Sequence, residues 1–395
     1  MRRLLRRTIF LALFACVGVA GAVAEARATL EVKIGYLRME RPPRPVLSNL
    51  DEIPPRRGIE GAELALSDNM TTGAFLGHDY ALEVVSVPVG GPLDEAAAQL
   101  LATHDLVVLD MPLADVQMVA DMAGDQKILF NAGARDHELR SAGCRANLLH
   151  TIPETGMEAD ALMQVLLAKK WTKLALIEGP TVEDQALADS YRKSARKFGL
   201  KIVSEKQWTF DTDLRRAASR EVPLFTQGFK DHDVLLVADA HDDFARYIEH
   251  NTWKPRPVVG STGLMARAWF PVVEQWGAAQ LQSRFKDMTG RDMTPEDYAA
   301  WAAVRAVGEA VTRTGSNQVD VLRAYLLSDD FALAAFQGRP LSFRAWNGQL
   351  RQPLPVVNAR AQVASAPLDG FEHARNPLDT LGTDQVESAC QAFGE

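Results

Sequence analysis

The chain has 395 residues, 47% hydrophobic and 24% charged. This is globular composition and excludes disordered, collagen-like and coiled-coil classes; the length predicts two domains or one large one. The formal charge is −8, and because residues 1–28 hold five Arg against one Glu, the rest carries −12, which excludes a general nucleic-acid or anionic-membrane binder.

Arg2, Arg3, Arg6 and Arg7 precede an uncharged run from Thr8 to Ala24, with small residues at cleavage spacing in Ala22-Val23-Ala24 and Ala26-Arg27-Ala28. The pattern predicts a secretory signal over 1–28, cleaved after Ala24 or Ala28. The alternative is an anchor, but the run is short against the roughly 20 residues of a span, and its second half is Ala/Gly-rich. Cys16 leaves with the signal. Export makes Cys144 and Cys390 candidates for a disulfide, with two separate buried thiols as the alternative. The bridge would close a loop of about 250 residues and contribute about 4–5 kcal/mol. Two cysteines without a His-rich partner do not make a zinc site.

Strands and helices then alternate. Apolar runs at Glu31–Leu37, Ala81–Val89, Asp105–Met111 and Lys127–Asn131 predict strands, with helices at Gly58–Asn69, Leu93–Thr103 and Leu113–Ala123 between them. The pattern restarts at an extended stretch, Ala146–Ile152. Helices at Gly156–Lys169 and Val182–Phe198 then alternate with strands at Lys173–Gly179, Lys201–Trp208, Asp233–Asp239 and Pro257–Gly263. Near-continuous apolar strands separated by helices predict parallel sheets covered on both faces. Helices follow at Val272–Met288, Pro295–Thr314 and Val319–Leu327, making Trp276 and Trp301 mid-helix packing residues. Thr294-Pro295-Glu296-Asp297 gives the second helix a cap, and Gly315 ends it. Asn347-Gly348 predicts a type I′ hairpin turn within Leu341–Val363.

In order and texture the chain resembles the type I periplasmic solute-binding proteins, the branched-chain amino-acid-binding group that serves ABC importers. The resemblance is carried by Ala146–Pro153 as first crossover, by Asp297–Gly315 as the late helix, and by the α/β texture of the whole chain after residue 28. It implies an α/β fold of two lobes, each a parallel sheet flanked by helices, with a ligand cleft between them. Lobe 1 would comprise 29–150 and 264–340, and lobe 2 151–263 and 341–395. Three runs, Cys144–Pro153, Gln275–Phe285 and Leu341–Leu350, resemble more narrowly a subgroup associated with PQQ-dependent alcohol dehydrogenase systems. One departure stands out. The Ser/Thr-rich loops that receive an amino acid's charged groups in that family read here as Asp110-Met111-Pro112 and Asn131–Asp136, so a plain branched-chain amino acid is not carried over as ligand.

Ligands of open parallel sheets bind beyond the carboxyl ends of the strands. That rule selects Arg38 and Arg41 after the first strand, with Arg44, Arg56 and Arg57 following. It selects Asp110, Asn131, Arg135 and Asp136 on the next loops, and Glu178, Trp208, Asp239, His241, Ser261 and Thr262 in the second set. Arg267 and Trp269 lie just beyond. Arginines hold carboxylates bidentately, and Trp208 and Trp269 are read as flat faces at the rim. Together they suit a planar polycarboxylate, of which PQQ is one. His150 reads as a core histidine, and His241-Asp242-Asp243 as a helix cap that in principle also suits a metal. No metal is expected. No GxSxG, HExxH, CxxC or phosphate loop is present.

The resulting expectation is a monomeric, non-enzymatic, periplasmic binding protein without a catalytic cofactor. It would bind a small anion, with PQQ as best candidate, and deliver it to an ABC importer permease. The alternative is an exported enzyme, or a cofactor chaperone or sensor acting with a periplasmic PQQ-dependent dehydrogenase.

Overall fold

The computed structural model describes residues 29–42, 53–209 and 214–394. The predicted signal, residues 1–28, and Arg44 lie outside the described residues. The first sheet is built from β1 (Leu30–Met39), β2 (His78–Val87), β3 (Leu106–Asp110), β4 (Ile128–Asn131) and β5 (Leu148–His150). Its order is β2-β1-β3-β4-β5, all parallel. Helices α1 (Ile59–Leu76), α2 (Leu93–Leu101) and α3 (Leu113–Ala123) connect its strands. The apolar strands read as continuous because both faces are covered. Ile34, Tyr36, Val108 and Phe130 pack towards α1 on one face. Leu37, Val107, Leu109 and Leu129 pack against α2 and α3 on the other.

The second sheet repeats the plan. α4 (Thr155–Ala168) leads to β6 (Lys173–Glu178), α5 (Val182–Lys197), β7 (Lys201–Gln207), α6 (Leu214–Thr226), β8 (Val234–Ala238), α7 (Ala245–Ile248) and β9 (Val258–Gly260). Its order is β7-β6-β8-β9, again parallel. α4 and α5 cover one face, and α6 and α7 the other. No helix is predicted at α6, whose Pro223 is a breaker by propensity yet lies inside it.

After β10 (Met265–Ala266) come α8 (Ala278–Thr289), α9 (Pro295–Thr314) and α10 (Val319–Leu326), all of which pack on the first core. Thr294 caps α9 as expected, and Asp297 completes a capping box with it. Asp297 Oδ1 also accepts from Gly58 N at 2.6 Å. α1 and α9 approach so closely that a Cβ on Gly61 would lie 1.9 Å from the Asp297 carbonyl oxygen. The helix expected to start at Val272 begins six residues later. Trp276 (φ 54°) and Gly277 (φ 81°) are left-handed and break the ladder there. Trp276 is therefore a half-exposed turn residue, while Trp301 is the buried packing residue expected.

The chain ends in β11 (Ser342–Phe343), β12 (Leu350–Arg351), β13 (Leu354–Val357) and β14 (Gln362–Ala366). β11 and β12 pair antiparallel, but a type I′ turn needs two left-handed residues, and only Gly348 (φ 68°) of Asn347-Gly348 is one. Three segments cross between the cores. β5 runs into α4, Ala268 packs on the second core and Trp269 on the first, and Leu350 packs on the first core and Leu354 on the second. Buried amides lace the crossings. Gln349 Nε2 donates to the His150 and Ile152 carbonyls at 3.3 and 3.2 Å, and Gln352 Nε2 to Thr151 O at 3.0 Å. Cys144 and Cys390 are joined as a disulfide, Cα to Cα 5.6 Å, and Phe393 packs on the first core.

Candidate functional site

Parallel register aligns the ends of β1 and β3, so Arg38 sits opposite Asp110. The Arg38 guanidinium reaches back to Pro55 O at 2.8 Å, and its Nε is buried with no hydrogen-bond partner among the described residues. Tyr36 Oη donates to Asp110 Oδ2 at 3.4 Å, and Arg41 lies 3.7 Å from Asp110 Oδ1. The α9 amino terminus abuts this edge and contributes Glu296, which is 4.0 Å from Arg57 and accepts from Arg135 at 3.4 Å. Arg135, on the loop after β4, also donates to Glu158 in the first turn of α4 at 2.7 Å. Arg267, on the second crossing, lies 3.7 Å from the same carboxylate. Residues from the carboxyl edge of the first sheet, the first turn of α4 and the crossing after β10 thus meet in one cluster.

Among the described residues five guanidiniums here face three carboxylates, an excess of two positive charges in a strongly acidic chain. Burial alone would raise Glu296, but Arg57, Arg135 and Arg41 bring its pKa down to about 2. Burial pushes Asp110 up, against the pull of Arg41, Arg57 and Arg38. Burial and the neighbouring Arg57 lower Arg41. For Arg135 burial acts downward, but Glu158 and Glu296 outweigh it and hold the guanidinium above its ordinary value. Such an array can bind an anion.

The predicted residues divide. Arg38, Arg41, Asp110, Arg135 and Arg267 come together. Asn131 lies below the site and shapes it: its Oδ1 accepts from Gly133 and Ala134 N at 3.1 and 2.8 Å, and its Nδ2 donates to Ala134 O at 2.7 Å. Asp136 is exposed, and its carbonyl accepts from Arg140. Ser261 reaches the cluster through Tyr191, which hydrogen-bonds it and feels both Arg267 and Glu158.

The remaining second-lobe residues have other partners. Glu178 pairs with Arg192, and Thr262 donates to Glu249 at 3.2 Å. The Asp239 carboxylate accepts from Asp243, Phe244 and Ala245 N at 2.7–3.0 Å, so Asp239 rather than Asp242 or Asp243 caps α7. His241 lies 3.8 Å from Glu183, and no group of three His, Cys, Asp or Glu suited to a metal occurs among the described residues. Trp208 is 3% exposed and stacks on Phe244; Trp269 is 1% exposed and stacks on Tyr298. Neither offers the rim face expected of it, because each ring fills a core beside its sheet. His150 is buried as expected beside Asn131. Glu158, Glu296, Tyr36 and Tyr191 were not singled out from sequence; the two acids look like ordinary first-turn acids.

No protein-family model and no curated protein sequence matches the chain. Solved structures do. A periplasmic binding protein from Burkholderia mallei superposes with a TM-score of 0.65 at 17% identity, over 92% of this chain and 99% of that one. A branched-chain amino acid ABC transporter periplasmic ligand-binding protein from Burkholderia xenovorans gives 0.69 at 16%, over 92% and 100%. A solute-binding protein of an R. palustris ABC transporter, in complex with benzoate, gives 0.63 at 11%, over 91% and 99%. The parallel sheets, their flanking helices and these neighbours give the chain the α/β fold of the two-lobed type I periplasmic binding proteins.

Proposed function

We propose that the protein is the periplasmic solute-binding component of an ABC import system and binds a small carboxylated anion between its lobes. In this reading lobe 1 comprises 29–150 and 264–340 and lobe 2 151–263 and 341–395, although Ala266 and Ala268 pack on the second core and Leu341, Phe343 and Leu350 on the first. One observation carries the reading: the arginine excess at the carboxyl end of the first sheet and the adjoining crossings, with an Arg38 N–H that is buried without a partner among the described residues. An anion would enter by replacing Glu158 on Arg135 and Arg267. Closure of the lobes about the three crossings then presents the complex to a permease. The neighbours are described as binding proteins, which supports binding without turnover, export by the 1–28 signal and a periplasmic location.

PQQ, with three carboxylates, is the specific candidate, supported by the motif resemblance and the arginines; stacking on Trp208 or Trp269 does not contribute to it. The test is tryptophan fluorescence titrated with PQQ and, separately, benzoate. Saturable quenching that weakens at least tenfold in Arg38→Ala and Arg135→Ala is expected. No quenching at micromolar PQQ removes that ligand, and no saturable response to either carboxylate removes the anion reading.

A further inference from the structure

A second opening lies away from the arginines. It is a groove of about 280 Å³ lined by Trp276, Gln337, Gly338, Arg339, Pro353 and the segment Ser365–Asp369. A narrow extension reaches Trp269 and Gln362. No arginine of the cleft lines it.

Its wall is made in an unusual way. Trp276 (φ 54°) and Phe336 (φ 59°) are left-handed non-glycine residues, and each belongs to a short loop with a left-handed glycine, Gly277 or Gly338. The loops clamp each other. A Cβ on Gly338 would lie 2.5 Å from the Trp276 indole, and one on Gly277 3.1 Å from the Phe336 ring. Such backbone strain persists only where the surroundings over-determine it, and it concentrates at ligand clamps. Here it holds an indole half exposed, at 50%, beside a groove.

Two buried acceptors behind the groove wall lack partners among the described residues. Gln337 Nε2 donates to Ala268 O at 2.8 Å, which fixes its amide, yet its Oε1 is buried without a partner. Gln362 Oε1 is orphaned in the same way. Buried acceptors without donors are rare and costly. Ser365 and Asp369 add further acceptors, and Arg339 is engaged by Glu372 at 2.8 Å. An occupant therefore needs several O–H donors and an apolar face for the indole.

We propose that this groove is a second binding site, for a neutral, polyhydroxylated ring of monosaccharide size. The ring's C–H face lies on Trp276, and its hydroxyls donate to Ser365 and Asp369.

The test is saturation-transfer NMR and fluorescence titration of the full chain with D-glucose, D-galactose and N-acetylglucosamine. Saturable binding of at least one sugar is expected. It should weaken at least tenfold in Trp276→Ala and in Ser365→Phe, which fills the groove while leaving the residues of the strained loops unchanged, and change less than twofold in Arg135→Ala. No saturable response from any of the three up to about 10 mM overturns the proposal. So does binding that survives both groove variants, or that is lost equally in Arg135→Ala.

Discussion

Arg135, carried by the first sheet, donates to Glu158, carried by the first helix of the second lobe, at 2.7 Å. The protein thus supplies its own carboxylate to the guanidiniums that would receive a ligand. Replacing Glu158 with Gln removes this competitor and adds one positive charge to the balance. Carboxylate binding is expected to tighten about three- to tenfold, in line with 1 kcal/mol or so for an incompletely desolvated pair. Isothermal titration with benzoate and PQQ measures it, and a weaker Kd in the variant counts against the competition.

Glu296 gives the cleft a pH signature. Its folded pKa, about 2, lies below the ordinary 4.5. A depressed carboxyl adds stability that is present above the unfolded value and is lost as pH falls towards the folded one. The gap corresponds to about 3 kcal/mol. Glu296→Gln is therefore expected to be less stable than the parent at pH 7, with the difference shrinking between pH 4.5 and 2. Urea midpoints across that range read it out; a constant offset would contradict the assignment.

Arg344 is fully buried. It donates to Asp379 at 3.0 Å and to the Leu381 carbonyl at 2.6 Å, while Arg351 reaches the same Asp379 oxygen at 2.7 Å. Asp379→Asn leaves two guanidiniums without their counter-charge, and a loss of about 3–5 kcal/mol is expected. Equilibrium unfolding measures it. The paired change Arg344→Met with Asp379→Leu should recover part of the loss, since an apolar replacement removes the uncompensated charge.

Reduction of Cys144–Cys390, or Cys390→Ser, frees the residues beyond Asp384. A loss of about 2–5 kcal/mol in stability is expected from the relaxed unfolded chain. Limited proteolysis should then cut within the last dozen residues before any other site, whereas the oxidised protein should resist there.

Much of this architecture was legible because the strands are buried on both faces and therefore read as unbroken apolar runs, such as Leu106–Asp110. The first-strand arginines were legible as charge out of keeping with an acidic chain. Their partners were not. Glu296 shares a helical turn with Asp297, and only one of two adjacent acids is needed for the cap, yet sequence does not say which one turns away. Glu158 sits in a first turn where an acid is ordinary. The tryptophans failed for a related reason: Trp208 and Trp269 follow strand ends, as rim residues would, but tertiary packing turned both rings inward. Trp276 was hidden by its helical-looking neighbours, since a left-handed aromatic leaves no periodic trace.

The Cys144–Cys390 bond also decides how the molecule bears a mechanical load. Tension applied at the two ends runs from the first strand to Cys144, across the sulfurs and out through Cys390. Everything from Arg145 to Ala389, the whole second sheet included, hangs as a slack loop outside that line of force. Stretching the oxidised protein therefore unravels only the opening strands and helices of the first sheet.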